Sequence, residues 1–211
     1  MKTNMLRRAV VAGALLLALA PLQAAEPVVD ASAPVKLVET VSKALLADLD
    51  ANRAAYRKDI TGLYKVVDKL FLPHVDVPYA AQQVLGMHWR DATPLQRERF
   101  TKAMYQSLLT TYGKALNEFT GDQMKVLPSK VDPAADRATV KTTIRTRSGS
   151  NVGVDYALRK IKTSGEWKAW DVVIEGISYV KSFREQFGLE IDQKGLDTLL
   201  TRLESGQVKV K

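Results

Sequence analysis

The chain has 211 residues, no cysteine, and 31 lysines and arginines against 23 acidic residues, a formal charge of +8. The missing cysteines exclude disulfide staples, a thiolate nucleophile and a lipidated cysteine at the end of a leader, so a hydrophobic core has to carry the fold. The cations are scattered along the chain, as a solvated surface requires.

Lys2, Arg7 and Arg8 precede an apolar run from Ala9 to Ala20 and then Pro21-Leu22-Gln23-Ala24-Ala25. A basic start, a short apolar stretch and a small-residue end make a secretory signal peptide over residues 1–24, leaving 25–211 as a single domain. The run is too short to span a bilayer, and no later window reaches the roughly 18 apolar residues a membrane helix needs. Losing three cations with the leader lowers the charge from +8 to +5. An exported domain of this size without cysteine fits the periplasm of a Gram-negative cell. There, nucleic acid is excluded as a partner, whereas anionic headgroups and acidic protein faces are available.

After a lead from Glu26, Pro34 opens a helix with Val35, Val38, Val41, Leu45, Leu46 and Leu49 at spacings of three and four, and Asn52 to Asp59 extends it. A second helix carries Leu63, Val66, Val67, Leu70 and Phe71 and ends at Pro73. Asp76 caps a short helix from Tyr79 to Leu85, stopped by Gly86. Thr93, Pro94 and Gln96 then form a capping box with proline at the first helical position. The helix they start runs to Phe119 before Gly121, about 39 Å at ~1.5 Å per residue. Phe100, Met104, Tyr105, Leu108, Leu109, Tyr112, Ala115, Leu116 and Phe119 fill an arc of roughly 180°, where about 100° serves one packing partner. This helix is contacted on two fronts, either as solid core or with part of its arc lining a cavity.

Beyond Gly121 the period changes to two. Strands are expected at Met124–Leu127, Ala138–Arg147, Val152–Arg159 and Trp167–Glu175, with turns at Asp132-Pro133, Ser148-Gly149-Ser150 and Thr163 to Glu166. In the last strand Trp170, Val172 and Ile174 oppose Trp167, Ala169, Asp171 and Val173; both faces carry apolar residues, so it is central. Ser178 caps a helix with Tyr179, Val180, Phe183 and Phe187, stopped by Gly188, and Asp192 caps a final helix with Leu196, Leu199, Leu200 and Leu203. The order predicts an α+β fold: a curved antiparallel sheet of about four strands packed against a helical layer, with an apolar pocket between them.

Chemistry is sparse. His74 and His88 have no companions at metal-ligand spacing, so no metal or cofactor is expected; His74 with Asp76 is the one pairing to note. No Gly-x-Ser-x-Gly elbow or phosphate-cradling loop is present. Asp155 and Asp171 on one sheet face would suit a proton-abstracting isomerase, but pairing with nearby Lys or Arg explains them equally, and no catalytic residue is assigned. What remains is a surplus of apolar surface. Tyr105, Leu108, Leu109 and Tyr112 on the long helix would face Val140, Ile144, Val152, Val154, Tyr156, Trp170, Val172 and Ile174 on the strands, enclosing an apolar ligand. Arg90 is the candidate cation at the mouth.

Two longer patterns are specific. Val84-Leu85-Gly86-x-x-Trp89-Arg90-x-Ala92-Thr93-Pro94-x-Gln96-x-x-x-Phe100, continued by Leu108-Leu109-x-x-Tyr112-x-x-x-Leu116, resembles the core of the MlaC family of toluene-tolerance auxiliary proteins. So do Val154-x-Tyr156-x-Leu158 and Trp167-Lys168-x-Trp170-Asp171-Val172-x-Ile174-Glu175-Gly176-Ile177-Ser178, with Arg184 and Phe187 behind them. Gly113 stands where the family often has Ala, and Trp170 where Tyr is common. The resemblance implies a periplasmic, monomeric carrier of diacyl phospholipid that needs no cofactor. It implies lipid exchange between an outer-membrane lipoprotein complex and the substrate-binding ring of an inner-membrane ABC transporter, maintaining outer-membrane lipid asymmetry. The alternatives are an adaptor that binds only protein partners and the small isomerase-like enzyme.

Overall fold

The computed structural model describes residues 29–116, 119, 124–128, 131–132 and 134–206. The expected leader lies outside them. Helix α1 spans Pro34–Lys58 with proline in its first turn, and a two-residue link leads to α2, Thr61–Leu70. These form a helical hairpin, and Asp59 stabilises the turn by accepting from the Thr61 backbone N–H at 3.0 Å. A 3₁₀ turn at Leu72–His74 follows, then α3, Val77–Leu85, whose start is capped by Asp76 through the Tyr79 N–H at 3.2 Å. The short α4, His88–Asp91, leads into α5, Pro94–Leu116. The capping box forms as its sequence dictates: Thr93 Oγ1 accepts from the Gln96 N–H at 3.2 Å, and Gln96 Oε1 accepts from the Thr93 N–H at 2.9 Å. Phe119 is not helical. It makes an isolated antiparallel bridge with Thr146, so α5 is shorter than its apolar stripe suggests.

Five antiparallel strands follow in sheet order β1-β2-β3-β4-β5: Lys125–Val126, Arg137–Arg145, Asn151–Lys160, Trp167–Ile174 and Ile177–Ser178. The two-residue β5 is the addition to the four expected strands and gives β4 a paired neighbour on either side, one strand in from the sheet edge rather than at its middle. The apolar residues on both faces of β4 reflect helices packed on either side of it. The last helices also depart from expectation. Helix α6 runs Tyr179–Lys194, straight through Gly188 and Asp192, and α7 spans Leu196–Glu204 behind Gly195 at φ 80°. A glycine inside a helix costs about 1 kcal/mol, less than the buried stripe of Val180, Phe183, Phe187 and Ile191 returns.

Two apolar clusters result. The first joins α1 and α2 to one face of the sheet; the second is built from α3, α5, α6 and α7. Helix α5 belongs to both, which is why its apolar arc is so wide: Leu109 is buried in the first cluster, Phe100 and Met104 in the second.

Candidate functional site: the apolar interior between hairpin and sheet

Cross-strand register sets the inner face. Val140 pairs with Tyr156 and Tyr156 with Val172; Thr142 pairs with Val154 and Val154 with Ile174; Ile144 pairs with Val152. Among the proposed lining residues, Val140, Ile144, Val154, Tyr156 and Leu109 are buried in the first cluster, and Tyr105, Val152, Val172 and Ile174 pack against it half-buried. Leu108, Tyr112 and Trp170 do not join them; they pack against the second cluster.

Trp170 differs for a local reason. Asp171 pairs with Ala157 and Ala169 with Leu158, so Trp170 is an extra residue between them, a β-bulge. The bulge reverses the alternation. Trp167 and Ala169 share the inner face with Val172 and Ile174, while Trp170 turns outward. A strict period of two cannot anticipate this.

What faces the sheet is chiefly α1, not α5. Leu37, Val38 and Val41 of α1, with Phe71 and His74, close against Tyr156, Leu158 and Ala169 around a void of about 20 Å³. That is space for about one water. Its polar groups include the His74 ring and Ser42 Oγ, which donates to Tyr156 Oη at a long 3.4 Å; burial raises the Tyr156 phenol above its usual pKa. The α1 stripe was legible in the sequence, but its assignment to the site required knowing that the hairpin folds over the sheet.

A larger space lies next door. A groove of about 460 Å³ between the 3₁₀ turn, the start of α3 and α5 is lined by Leu72, Val77, Pro78, Trp89, Arg97, Glu98, Thr101, Lys102 and Tyr105. Its volume falls in the ~300–1,000 Å³ range of ligand pockets. Leu72 faces the groove while Phe71 and His74 face the inner void, so the 3₁₀ turn is the partition. Beside it the Tyr105 hydroxyl donates to Asp68, tying α5 to α2; burial, then the Asp68 carboxylate, push the Tyr105 phenol far above its ordinary range. The cations in the groove wall are Arg97 and Lys102 rather than Arg90. Arg97 stacks 5.2 Å from the Trp89 ring centroid and its Nε donates to the Trp89 carbonyl at 2.9 Å. The exposed Arg90 contributes only its carbonyl, to Arg97.

Asp155 and Asp171 do share the outer face, but Asp171 is occupied: it accepts from Ser178 Oγ at 2.6 Å and from the Val180 N–H at 3.0 Å, holding the start of α6. Asp76 pairs with Arg159, not His74. Among the described residues no group of three or more His, Cys, Asp or Glu is placed to hold a metal, and no helix is long and apolar enough to cross a membrane.

Sheet and hairpin sharing one apolar interior, with a second helical core behind, define an α+β protein organised around its apolar centre rather than around polar chemistry. The chain belongs to the MlaC family, whose model, described as MlaC protein, matches residues 39–205. It is 32% identical over 170 residues to the toluene tolerance protein Ttg2D of Pseudomonas putida, covering 80% of this chain and 78% of that protein. It is 25% identical over 174 residues to the intermembrane phospholipid transport system binding protein MlaC of Haemophilus influenzae, covering 82% and 81%. The fold matches the phospholipid-binding protein from Ralstonia solanacearum, solved in complex with a phospholipid, with a TM-score of 0.72 at 22% identity over 80% of this chain and 93% of that one.

Proposed function

We propose that this protein is a periplasmic phospholipid carrier that takes acyl chains between the α1–α2 hairpin and the inner face of the sheet. The observation that carries the reading is the apolar interior shared by hairpin and sheet, against which Val152, Val172, Ile174 and Tyr105 pack half-buried. The relatives' names, phospholipid transport and phospholipid binding, agree with it.

The inner void of about 20 Å³ is far below what two acyl chains occupy, so loading requires the hairpin to swing away. The second cluster has its own core and stays intact while this happens. Among the described residues, polar ties that hold the hairpin include Ser42 to Tyr156, Asp68 to Tyr105, Arg53 Nη2 donating to the Phe119 carbonyl at 2.6 Å, and at its start the Trp167 N–H donating to the Ala31 carbonyl at 2.9 Å. The 460 Å³ groove beyond the 3₁₀ turn then becomes continuous with the opened interior, and Arg97 and Lys102 stand there for a headgroup phosphate.

Each buried CH₂ contributes about 0.8 kcal/mol, so ten of them hold a chain by about 8 kcal/mol. Release into water is therefore negligible, and transfer takes place in contact with a partner. The partners in this reading are an outer-membrane lipoprotein complex and the substrate-binding ring of an inner-membrane ABC transporter, and the traffic maintains outer-membrane lipid asymmetry. Nothing in the role calls for catalysis.

Native mass spectrometry of protein purified from the periplasm tests it. The expected result is phospholipid bound to the wild type, and low occupancy with native circular dichroism in Val172→Trp, whose indole fills the chain space. A wild type free of lipid after gentle purification would overturn the reading.

A further inference from the structure

On the outer face of the sheet, away from the apolar interior, cations stand in a row. Arg137 of β2 pairs directly with Arg159 of β3, and Arg159 with Lys168 of β4. Like charges directly opposite one another destabilise a sheet. The one carboxylate in ion-pair contact with the row among the described residues is Asp76, on Arg159.

The row rests on aromatic rings. Arg159 lies 4.4 Å from the Tyr79 centroid, and Arg137 lies 5.1 Å from Tyr79 and 5.7 Å from Trp170, while the two rings meet edge to face at 5.6 Å. Arg137 Nη2 donates to the Tyr79 hydroxyl at 2.8 Å, which fixes the guanidinium while its remaining N–H groups face water. Trp170 reaches this position because of the bulge, and α3 is pinned beside it by the Asp76 N–H donating to the Ala169 carbonyl at 2.7 Å. The arrangement has a cost: the Trp170 Nε1–H is buried with no acceptor. The bulge packs Trp170 against the second apolar cluster, but the orphaned indole N–H and the three abutting cations add nothing to that core. They are explained if the face has to present a rigid, aromatic-backed guanidinium.

We infer that Arg137, Lys168 and the Tyr79–Trp170 pair form a docking site for an acidic protein surface, one that presents carboxylates to the outer face of the sheet. The planar fork of a pre-oriented arginine matches a carboxylate, and its low residual freedom reduces the entropy lost on docking. A membrane surface fits less well. The exposed large apolar residues, Met87, Leu95, Leu127, Ile177 and Leu189, all lie outside the segments that build this cluster, so the site offers no side chain to insert among acyl chains. The inference goes beyond the carrier reading and does not depend on bound lipid.

A hexaglutamate peptide is the probe, titrated into full-length mature protein while the Trp170 indole resonance is followed by NMR. The expected result is saturable, salt-sensitive binding that Arg137→Gln weakens about five- to tenfold. Lys65→Gln, which removes one exposed charge from α2, should leave it within about twofold. Equal losses in both variants would reduce the effect to net charge and overturn the inference. So would no binding, or binding of phosphatidylglycerol vesicles but not of peptide. Lipid occupancy of the same Arg137→Gln sample, read by native mass spectrometry, should be unchanged; wild-type protein without lipid but with saturable peptide binding that Arg137→Gln weakens would count against the carrier reading alone.

Discussion

Gly113 of α5 lies so close to Tyr64 of α2 that a Cβ built on it would stand 2.6 Å from the ring's Cε1. The absence of a side chain here lets the hairpin seat against the central helix. It is a close approach between the element expected to move and the core expected to stay.

Gly113→Ala therefore sets two effects against each other. Helix propensity favours alanine by about 1 kcal/mol, but the Tyr64 ring must shift, an overpacking cost of about 1–3 kcal/mol. The expected net is a loss of stability of about 1 kcal/mol in denaturant titration. Combined with Tyr64→Ala, the same substitution should stabilise by about 1 kcal/mol relative to Tyr64→Ala alone, because the clash is gone. Additive behaviour of the two changes would mean that the ring is not the obstacle.

Tyr105→Phe removes the bond to Asp68 and keeps the ring in the groove wall. A hydrogen bond to a charged group contributes about 1.5–3 kcal/mol, and the exposed Asp68 carboxylate recovers part of that from water. Stability should fall by about 1 kcal/mol, while uptake of a fluorescent phospholipid should speed up. A slower uptake would show that the bond shapes the binding surface rather than restraining the hairpin.

The capping box, the helix ends at Gly86, the β2–β3 hairpin and the Ser178 cap were all legible because each rests on local chemistry. So was the inner face of β2 and β3, where alternation runs unbroken from Val140 to Ile144 and from Val152 to Leu158. Among those that were not, three depend on tertiary context. The bulge at Trp170 depends on how β4 pairs with β3, so alternation placed that residue on the wrong face. Gly188 resembles a helix stop until tertiary packing of Phe187 and Ile191 overrides it. The partner of the sheet was also hidden: periodicity shows that α1 and α5 each have an apolar stripe but not which of them the strands meet.

His74 supplies a pH dependence. Burial lowers its pKa below the ordinary value, Lys168 lowers it further, and Glu166 works weakly in the other direction. The folded state thus binds this proton less readily than the unfolded chain, whose histidine titrates near ~6.5. The contribution to stability is full above that value and is lost as pH falls toward the folded pKa. Because His74 lines the inner void, protonation should favour the opened hairpin. The melting temperature should drop between about pH 7.5 and 5.5, lipid extraction should be faster at the lower pH, and His74→Gln should flatten both trends. A variant with the same slope as the wild type would assign the effect to other groups.

Asp171 tests whether the outer-face carboxylate serves structure or chemistry. It is 8% exposed, and its two oxygens are taken by Ser178 Oγ and the Val180 N–H, so from the middle of β4 it holds the start of α6. Replacement by alanine leaves a buried N–H and a hydroxyl without their acceptor, at a cost of about 1–3 kcal/mol for each group left unpaired. Asparagine keeps an oxygen for Val180 and can donate to Ser178, so it should retain most of the stability. The ordering expected from thermal unfolding is wild type, then Asp171→Asn, then Asp171→Ala well below. Lipid bound per folded molecule should be the same in all three, because the inner face lies on the other side of the strand. Loss of lipid in a fully folded Asp171→Asn protein would mean that this carboxylate acts on the cargo, and that the division between a binding inner face and a structural outer face at β4 is wrong.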